Sequence, residues 1–457
     1  MKHALFLLIL FALLSQGCDD FLDVKPKGVS IPEKAEEYEQ LLNYQQMTKA
    51  VECYMNYMTD DAYLPEEGYS GFEEMPNATR NLYTFQSEVY GPAEWDIFWL
   101  QSYNRIYYSN VVINQIMGSK GDQNYKNRVR ADAYVMRAFD YLGLVNGYAK
   151  HYDPATAASD PGVPLQLNEN ITNAPITRAS VQRIYDQIKS DLIEAETYLP
   201  ENNLLPYRGS KAFALGLSAR MYLYMGNYDM ALQKAEDALK LNNEVLDMTV
   251  LKIVDPDKTV GRTDYPDADE NPENINIRYT PATYGLSGKV FASEDLLKIY
   301  TENDMRKQLF FTHKIGSNWV DDLIWAPYIE MNVSSSVPEM LLIAAECYAR
   351  KNDVSSAMSK LNQLRKKRIK DYTDEKASSP EDALRKVLEE RRREFAFNSL
   401  YRLIDLKRLN KDPRFRKTVI HTVGEQTYTL EPESPKYILP IPPMVTEMNP
   451  GMEKNER

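Results

Sequence analysis

The stretch that decides the fold is Ser210–Leu241, SKAFALGLSARMYLYMGNYDMALQKAEDALKL. Ala212, Leu215, Ala219, Tyr222 and Leu223 recur at helical spacing. Gly226-Asn227 breaks the run, and Tyr228, Ala231, Leu232, Ala235, Ala238 and Leu239 resume it. That pattern predicts two short helices folded back on each other about a glycine turn. The small residues fall where two such helices must approach closely, with Ala219 facing the hairpin interior and Ala231 and Ala238 leaving room for Tyr222 and Tyr228.

A second copy fits Pro338–Arg368, PEMLLIAAECYARKNDVSSAMSKLNQLRKKR, with Tyr348, Ala357, Leu361 and Leu364 in the equivalent places and Asn352-Asp353 at the turn. A third is predicted from the amphipathic stretches Arg128–Tyr148 and Val181–Leu199, whose turn is replaced by a proline-rich excursion over Asp153–Pro175. This periodicity resembles the tetratricopeptide repeat. One helix pair cannot bury its own apolar face, so the expectation is a mostly α, stacked helical-repeat scaffold with long irregular insertions, of the kind that holds partners.

Composition narrows the class. The chain has 457 residues, of which 43% are hydrophobic, enough for a sizeable core. Its mean hydropathy of -0.51 excludes a multi-span membrane protein. A net charge of -12 argues against nucleic acid as a partner, because phosphates would meet no compensating charge. Tyrosine is over-represented at 32 residues, beside 14 Phe and 4 Trp. Most such rings in a helical protein are core, and a minority present a face to a sugar or a peptide.

The N-terminus has the form of an export signal. Lys2 precedes an apolar run, Ala4–Leu14, too short to span a bilayer, and Ser15-Gln16-Gly17-Cys18 closes it at a small residue before a cysteine. This pattern resembles a bacterial lipoprotein signal, 1–17, with Cys18 as the lipidated residue and the lipid as the membrane anchor of the remaining 18–457. Of the other cysteines, Cys347 lies among Leu342, Ile343, Ala344 and Ala345 and reads as a buried structural thiol ahead of a disulfide, and the sequence leaves pairing with Cys53 open.

Directly after the cysteine, CDDFLDVKPKG (Cys18–Gly28) is similar to the start of mature SusD/RagB-family proteins, the surface lipoproteins of nutrient-uptake systems in Bacteroidetes. Further landmarks follow in order: Glu94-Trp95-Asp96 through Tyr103, Ile106, Asn110 and Ile113; Arg137-Ala138-Phe139 with Leu144–Tyr148; Gly162-Val163-Pro164-Leu165; and Tyr437–Pro442 with Glu447, Asn449 and Pro450. One departure is local. Glu390–Phe397 leads to Asp405–Arg408, but Asn398-Ser399 replaces the usual Glu-Gly and the spacing is about one residue long. The resemblance implies an outer-membrane, surface-exposed binding lipoprotein that captures a glycan or oligosaccharide and delivers it to a SusC-like TonB-dependent transporter. A peptide-binding, RagB-type uptake lipoprotein and a periplasmic helical-repeat adaptor are the alternatives.

No enzymatic signature interrupts this reading: there is no G-x-S-x-G, H-E-x-x-H, P-loop or dinucleotide fingerprint, and no cofactor is implied. Beyond the signal only His151, His313 and His421 remain, widely separated. Asp267, Asp269, Asn271 and Glu273 have the alternate spacing of a calcium loop, but Pro272 stands where glycine is needed and Arg278 where the bidentate glutamate is needed, so no metal site is expected. Asp60-Asp61 is expected to brace a turn, and the helix starting after Ser379 is expected to run to about Leu409 with Arg391–Arg393 as a solvated, salt-bridged face.

For the ligand, rings in irregular segments are favoured over those at helical core spacing, such as Trp95, Trp99, Tyr103, Tyr107, Tyr134 and Tyr141. That criterion selects Tyr63, Tyr69 and Phe72 from the irregular segment 60–77. It also selects Tyr284, Trp319 and Trp325 from the least helical stretch, 242–337. Lys234 and Lys240 are candidate exposed repeat positions for a partner's surface.

Overall fold

A computed structural model of the chain describes residues 32–457 except 51, 93, 170–175, 203–204, 256–262, 280–285 and 328–330, and leaves aside the side chains of Gln45, Glu52 and Cys53. Its long helices are α1 (Ile97–Gln115), α2 (Gln123–Tyr148), α3 (Val181–Tyr198), α4 (Lys211–Tyr224), α5 (Tyr228–Leu241), α6 (Val337–Arg350), α7 (Val354–Arg365), α8 (Pro380–Glu394) and α9 (Tyr401–Leu409). Helices α1 to α5 pack each on the next, α6 packs on α5 and α7, and α8 closes the stack against α6 and α7. The fold is mostly α.

The turn chemistry explains the hairpins. Ser210 caps α4 by accepting from Phe213 N at 3.1 Å, and Asn227 caps α5 by accepting from Met230 N at 3.2 Å. Between the two helices Gly226 takes φ +71°, which costs glycine nothing. In the α6–α7 turn Asn352 takes φ +64° at the same place and Asp353 caps α7 through Ser356 N at 3.0 Å. Asparagine is the side chain that best tolerates this left-handed backbone. From Ala212 to Tyr224 every residue of α4 is buried, because neighbours cover it on all sides.

Buried arginine–carboxylate pairs staple successive helices. Arg105 of α1 meets Asp140 of α2 at 2.6 Å, Arg137 of α2 meets Asp191 of α3 at 2.7 Å, and Arg220 of α4 meets Glu339 of α6 at 2.6 Å. Arg408 of α9 grips Glu346 of α6 with two bonds, 2.5 and 2.8 Å. Replacing such pairs with apolar residues is often neutral, but removing one partner is costly, so the pairs fix register more than they add stability. Cys347 is buried and free.

Three expectations change. The single helix after Ser379 is two: α8 ends at Glu394, and Phe397 (φ +57°) and Ser399 (φ +47°) turn the chain before α9. Both residues sit in the stretch where the family spacing departs. Arg391–Arg393 is not a solvated face, since Arg391 and Arg393 are buried and Arg391 pairs with Asp405 at 2.9 Å. The polar repeat that flagged a surface instead marks an ionic core.

The third change concerns the irregular segments. Residues 60–77 and the middle of the chain are joined in one four-stranded antiparallel sheet of order β1 (Ala62–Tyr63), β4 (Phe291–Ala292), β6 (Asn318–Trp325), β5 (Phe311–Ile315). Ala62 pairs with Ala292, Phe291 with Ile324, and Phe311 with Trp325. Two smaller ladders are β2 (Pro161–Pro164) with β3 (Arg178–Ser180), and β7 (Val419–Val423) with β8 (Gln426–Leu430).

Candidate aromatic cleft

The four-stranded sheet positions the candidate rings. Tyr63, in β1, is half-buried with its ring 6.3 Å from Phe291. Burial, and after it the Asp322 charge, raises its phenol. Past the strand the chain loops out to Tyr69, which is 41% exposed, and Ser70 Oγ donates to Gly288 O at 3.1 Å, tying the loop to the middle segment. Tyr69, Met75 and Lys289 line a concavity of about 500 Å³ there.

Trp319 opens the β6 strand at the tip of the β5–β6 hairpin and is 68% exposed. Gly316 takes the hairpin's left-handed position at φ +60°. Lys314 Nζ lies 4.7 Å from the indole centroid, a cation–π contact that holds the ring's orientation while leaving most of its surface to solvent. The ring borders a cleft of about 480 Å³ whose apolar lining is Phe311, Leu323 and Ile253 and whose polar rim includes Glu302, Lys307 and His313. An exposed ring over an apolar floor with charged and amide groups around it can stack on a flat apolar face and hydrogen-bond its edges.

The other sequence-selected rings fare differently. Trp325, at the far end of the same strand, is 2% exposed and packs 5.7 Å from Phe397, so it is core. It lies opposite Phe311 at the inner end of the hairpin, a placement its irregular-looking sequence context did not reveal. Phe72 is half-buried against Tyr83 at 6.2 Å, with Arg80 over its ring at 5.8 Å. Tyr284 and Cys18 lie outside the described residues.

Two rings assigned to the core are exposed instead: Trp95 at 52% and Tyr107 at 41%. Trp95 precedes the helix, because Asp96 is the N-cap of α1 and accepts from Phe98 N at 2.9 Å, so helical spacing does not apply to it. An aspartate immediately before an apolar helical run is the signal that would have placed that boundary. Asp96 also accepts from Tyr54 at 2.7 Å, from Tyr90 at 2.5 Å and from Tyr148, which spends three of the chain's tyrosines on one buried carboxylate. Of the two repeat lysines, Lys240 is exposed beside Asp237, whereas Lys234 is tied to Glu196 at 2.5 Å.

The Asp60-Asp61 pair does more than brace a turn. Asp60 accepts two bonds from Arg402 and Asp61 accepts from Arg392 at 2.6 Å, fastening the start of the ring-bearing loop to α8 and α9. Among the described residues no group of three or more His, Cys, Asp or Glu is placed to hold a metal ion, and no helix is long and apolar enough to cross a membrane.

Known proteins share this architecture. A SusD-like family profile described as "Starch-binding associating with outer membrane" matches residues 20–223, and the SusD family profile matches residues 337–457. The SusD-like protein P2 of Formosa agariphila is 29% identical over 147 residues, a match that spans 32% of this chain and 27% of that relative. A SusD superfamily protein of Bacteroides thetaiotaomicron superposes with a TM-score of 0.74 at 19% identity, covering 93% of this chain and 100% of the other. A SusD-like carbohydrate binding protein of Bacteroides vulgatus gives 0.68 at 20%, covering 92% and 98%. With both ends of the chain matched by profile and its helical stack matched in three dimensions, the chain belongs to the SusD/RagB family.

Proposed function

We propose that the protein is a lipid-anchored, surface-exposed binding protein of the outer membrane that captures a glycan or oligosaccharide and passes it to a SusC-type TonB-dependent transporter. The observation that carries the ligand half of this reading is Trp319, a largely exposed indole over a cleft of about 480 Å³ with an apolar floor and a polar rim. A sugar presents an apolar C–H face bordered by hydroxyls, and the cleft offers the complement. Tyr69 and Trp95 are further exposed rings that a long oligosaccharide could reach, and Tyr63, Phe72 and Tyr284 belong to the same segments. Family membership supports the transporter half, with Cys18 as the anchor. The rim also carries Glu302, Lys307 and Lys314, charges that suit a peptide backbone and its termini, so a peptide cargo is the second reading. Isothermal calorimetry of the mature protein against neutral oligosaccharides and against short peptides separates the two, since only the true cargo class should lose its heat signal in Trp319→Ala. Co-purification of a barrel transporter with the tagged, membrane-extracted protein tests the partner.

A further inference from the structure

His421, in β7, is 3% exposed, and both of its ring nitrogens lie on backbone carbonyl oxygens: Nδ1 is 2.7 Å from Tyr83 O and Nε2 is 2.9 Å from Thr59 O. A carbonyl oxygen only accepts, and a neutral imidazole has one N–H and one lone pair. The neutral ring therefore completes one of these contacts and sets a lone pair against an oxygen in the other, whereas a ring carrying both protons completes the two together. The aromatic surroundings favour the charged form. The imidazole lies between Tyr83, stacked at 4.1 Å with an interplanar angle of 11°, and Phe85, at 4.8 Å with 25°, and such faces attract a cation. Phe85 reaches that place at φ +54°, a left-handed backbone that a bulky side chain adopts only where its surroundings hold it there.

The two carbonyls are not equivalent. Tyr83 is the last residue of the short helix Asn77–Tyr83, where carbonyls lose their intrahelical partners, so the ring satisfies an oxygen that the helix leaves open. Thr59 O already accepts from Ala62 N at 3.2 Å. A single ring proton therefore belongs on Nδ1, and the contact that lapses in the neutral ring is the one to Thr59. Thr59 stands immediately before the Asp60-Asp61 clamp and β1, and just past that strand Leu64 N donates to Tyr83 Oη at 3.1 Å. We propose that His421 is a positioning residue for the ring-bearing loop, a proton-operated latch in which a second proton, on Nε2, closes the bond to Thr59 O and fastens the loop base, and the loss of that proton slackens it.

The groups around the ring leave that proton as the variable. From the loop base the Asp60 carboxylate attracts it, and Asp60 is itself held ionised by Arg402, Arg392 and Lys417. The Tyr83 phenol belongs to the short helix and the Tyr428 phenol to β8, where Tyr428 pairs with His421 in the ladder, and phenols ordinarily titrate near 10, above the imidazole range. At the β7–β8 turn Glu66 packs beside Gly424. Burial lowers the ring's value against the unfolded chain, and the Tyr83 and Thr59 carbonyls and then Asp60 oppose it. The net lowering means that acid costs global stability as pH falls below about 6.5. For the latch the sign is the reverse. The ring stays between Tyr83 and Phe85 in the fastened and the slackened form alike, so the burial cost cancels between them, and the bond to Thr59 that only the doubly protonated ring makes is what remains. By linkage, acid favours the fastened form.

The test is a titration of the full, isotopically labelled mature chain between about pH 8 and about pH 4.5, around the ordinary imidazole value, reading imidazole nitrogen resonances and amide hydrogen exchange together. Beside His421 only His151 and His313 follow the signal, and His421→Asn identifies the ring's resonances. The Nδ1–H tautomer is expected at the alkaline end and protons on both nitrogens at the acid end. Protection of the Asp60–Leu64 amides, corrected for intrinsic exchange and taken relative to α4, should rise roughly fivefold as the ring gains its proton, the worth of one hydrogen bond. In His421→Asn, which keeps a donor for Tyr83 O and cannot titrate, the relative protection should stay flat. Should that variant fail to fold, His151→Gln and His313→Gln assign the ring by elimination and the wild-type titration decides alone. A ring that stays singly protonated throughout, an Nε2–H tautomer at the alkaline end, or relative protection that does not follow the ring's titration overturns the latch. No ligand enters these measurements, so either outcome leaves the Trp319 reading untouched.

Discussion

Asp60 and Arg402, 342 positions apart in the chain, meet as a buried two-bond pair: Arg402 Nε reaches Oδ1 at 2.7 Å and Nη2 reaches Oδ2 at 2.6 Å. Arg392 and Lys417 add their charges to the same carboxylate at 3.1 and 2.7 Å. Burial alone would push the Asp60 carboxyl up, but Arg402 and Arg392 outweigh it and hold it well below the usual range. The consequence is architectural. The two residues before β1 are clamped to α8 and α9, so the loop that carries Tyr69 leaves from a fixed point.

Removing that carboxylate should therefore do more than a surface change would. Asp60→Asn leaves Arg402 without its two-bond partner, while Arg392 keeps Asp61 and Lys417 keeps Asp295, and breaking one partner of a buried pair costs about 3 to 5 kcal/mol. Urea unfolding is the measurement. A cost below about 1 kcal/mol would mean that solvent reaches the cluster and that the clamp is weak.

The Glu346 pair sets an acid limb. Burial would raise the Glu346 carboxyl, yet Arg408 and then Arg350 hold it down at about 2. Its folded value thus lies below the unfolded value of about 4.3. The stabilisation is fully present above the unfolded value and is lost as pH falls from about 4 toward 2, an effect on the order of 3 kcal/mol for a shift of this size. Glu346→Gln should lower stability at neutral pH and flatten this limb. Thermal melts of both proteins between pH 2 and 6 read the difference, and parallel curves would remove Glu346 as a source of acid sensitivity.

How much of this was legible in the sequence depends on the range of each interaction. The α4–α5 and α6–α7 hairpins were readable because their information is local: apolar spacing, a cap, and Gly226 or Asn352 where a left-handed backbone is needed. Asp60 and Arg402 were not, since nothing in the composition around either residue names a partner 342 positions away. Arginines 391–393 misled for the same reason. A run of like charges reads as solvated unless the carboxylates it meets beyond its own helix, here Asp405 and Asp61, are known. Trp319 and Trp325 share one strand and both pair with β5, and only their places along it separate them: Trp319 lies opposite Lys314 at the hairpin tip, whereas Trp325 lies opposite Phe311 at the inner end and packs on Phe397.

Anchoring is a separate prediction, resting on Cys18. If the mature protein begins at a lipidated Cys18, Cys18→Ala should move it from the membrane fraction to a soluble or unprocessed form. Acyl chains contribute about 0.8 kcal/mol per buried methylene, and no described helix offers a comparable apolar span. Membrane association that survives the substitution would reject lipid as the anchor.

The two tryptophans of β6 should part company under mutation. Trp325 fills the core beside Phe397, and truncating such a ring leaves a cavity that costs about 3 to 5 kcal/mol, so Trp325→Ala should show a lowered melting temperature first and any binding defect only as a result. Trp319 is 68% exposed and loses little on truncation, so Trp319→Ala should keep the wild-type helical circular dichroism and melting temperature. Its loss should appear in binding. Stacking one indole on a sugar face, at about 25 cal/mol per Å² of apolar area, yields only one or two kcal/mol. Affinity is accordingly expected in the micromolar to millimolar range, where losing that ring brings calorimetric heats to or below detection. Adding Tyr69→Ala should weaken binding further only for oligosaccharides long enough to span from the Trp319 cleft to the Tyr69 concavity. Unchanged oligosaccharide and peptide binding in Trp319→Ala, with the fold intact, would reject the Trp319 cleft as the ligand site.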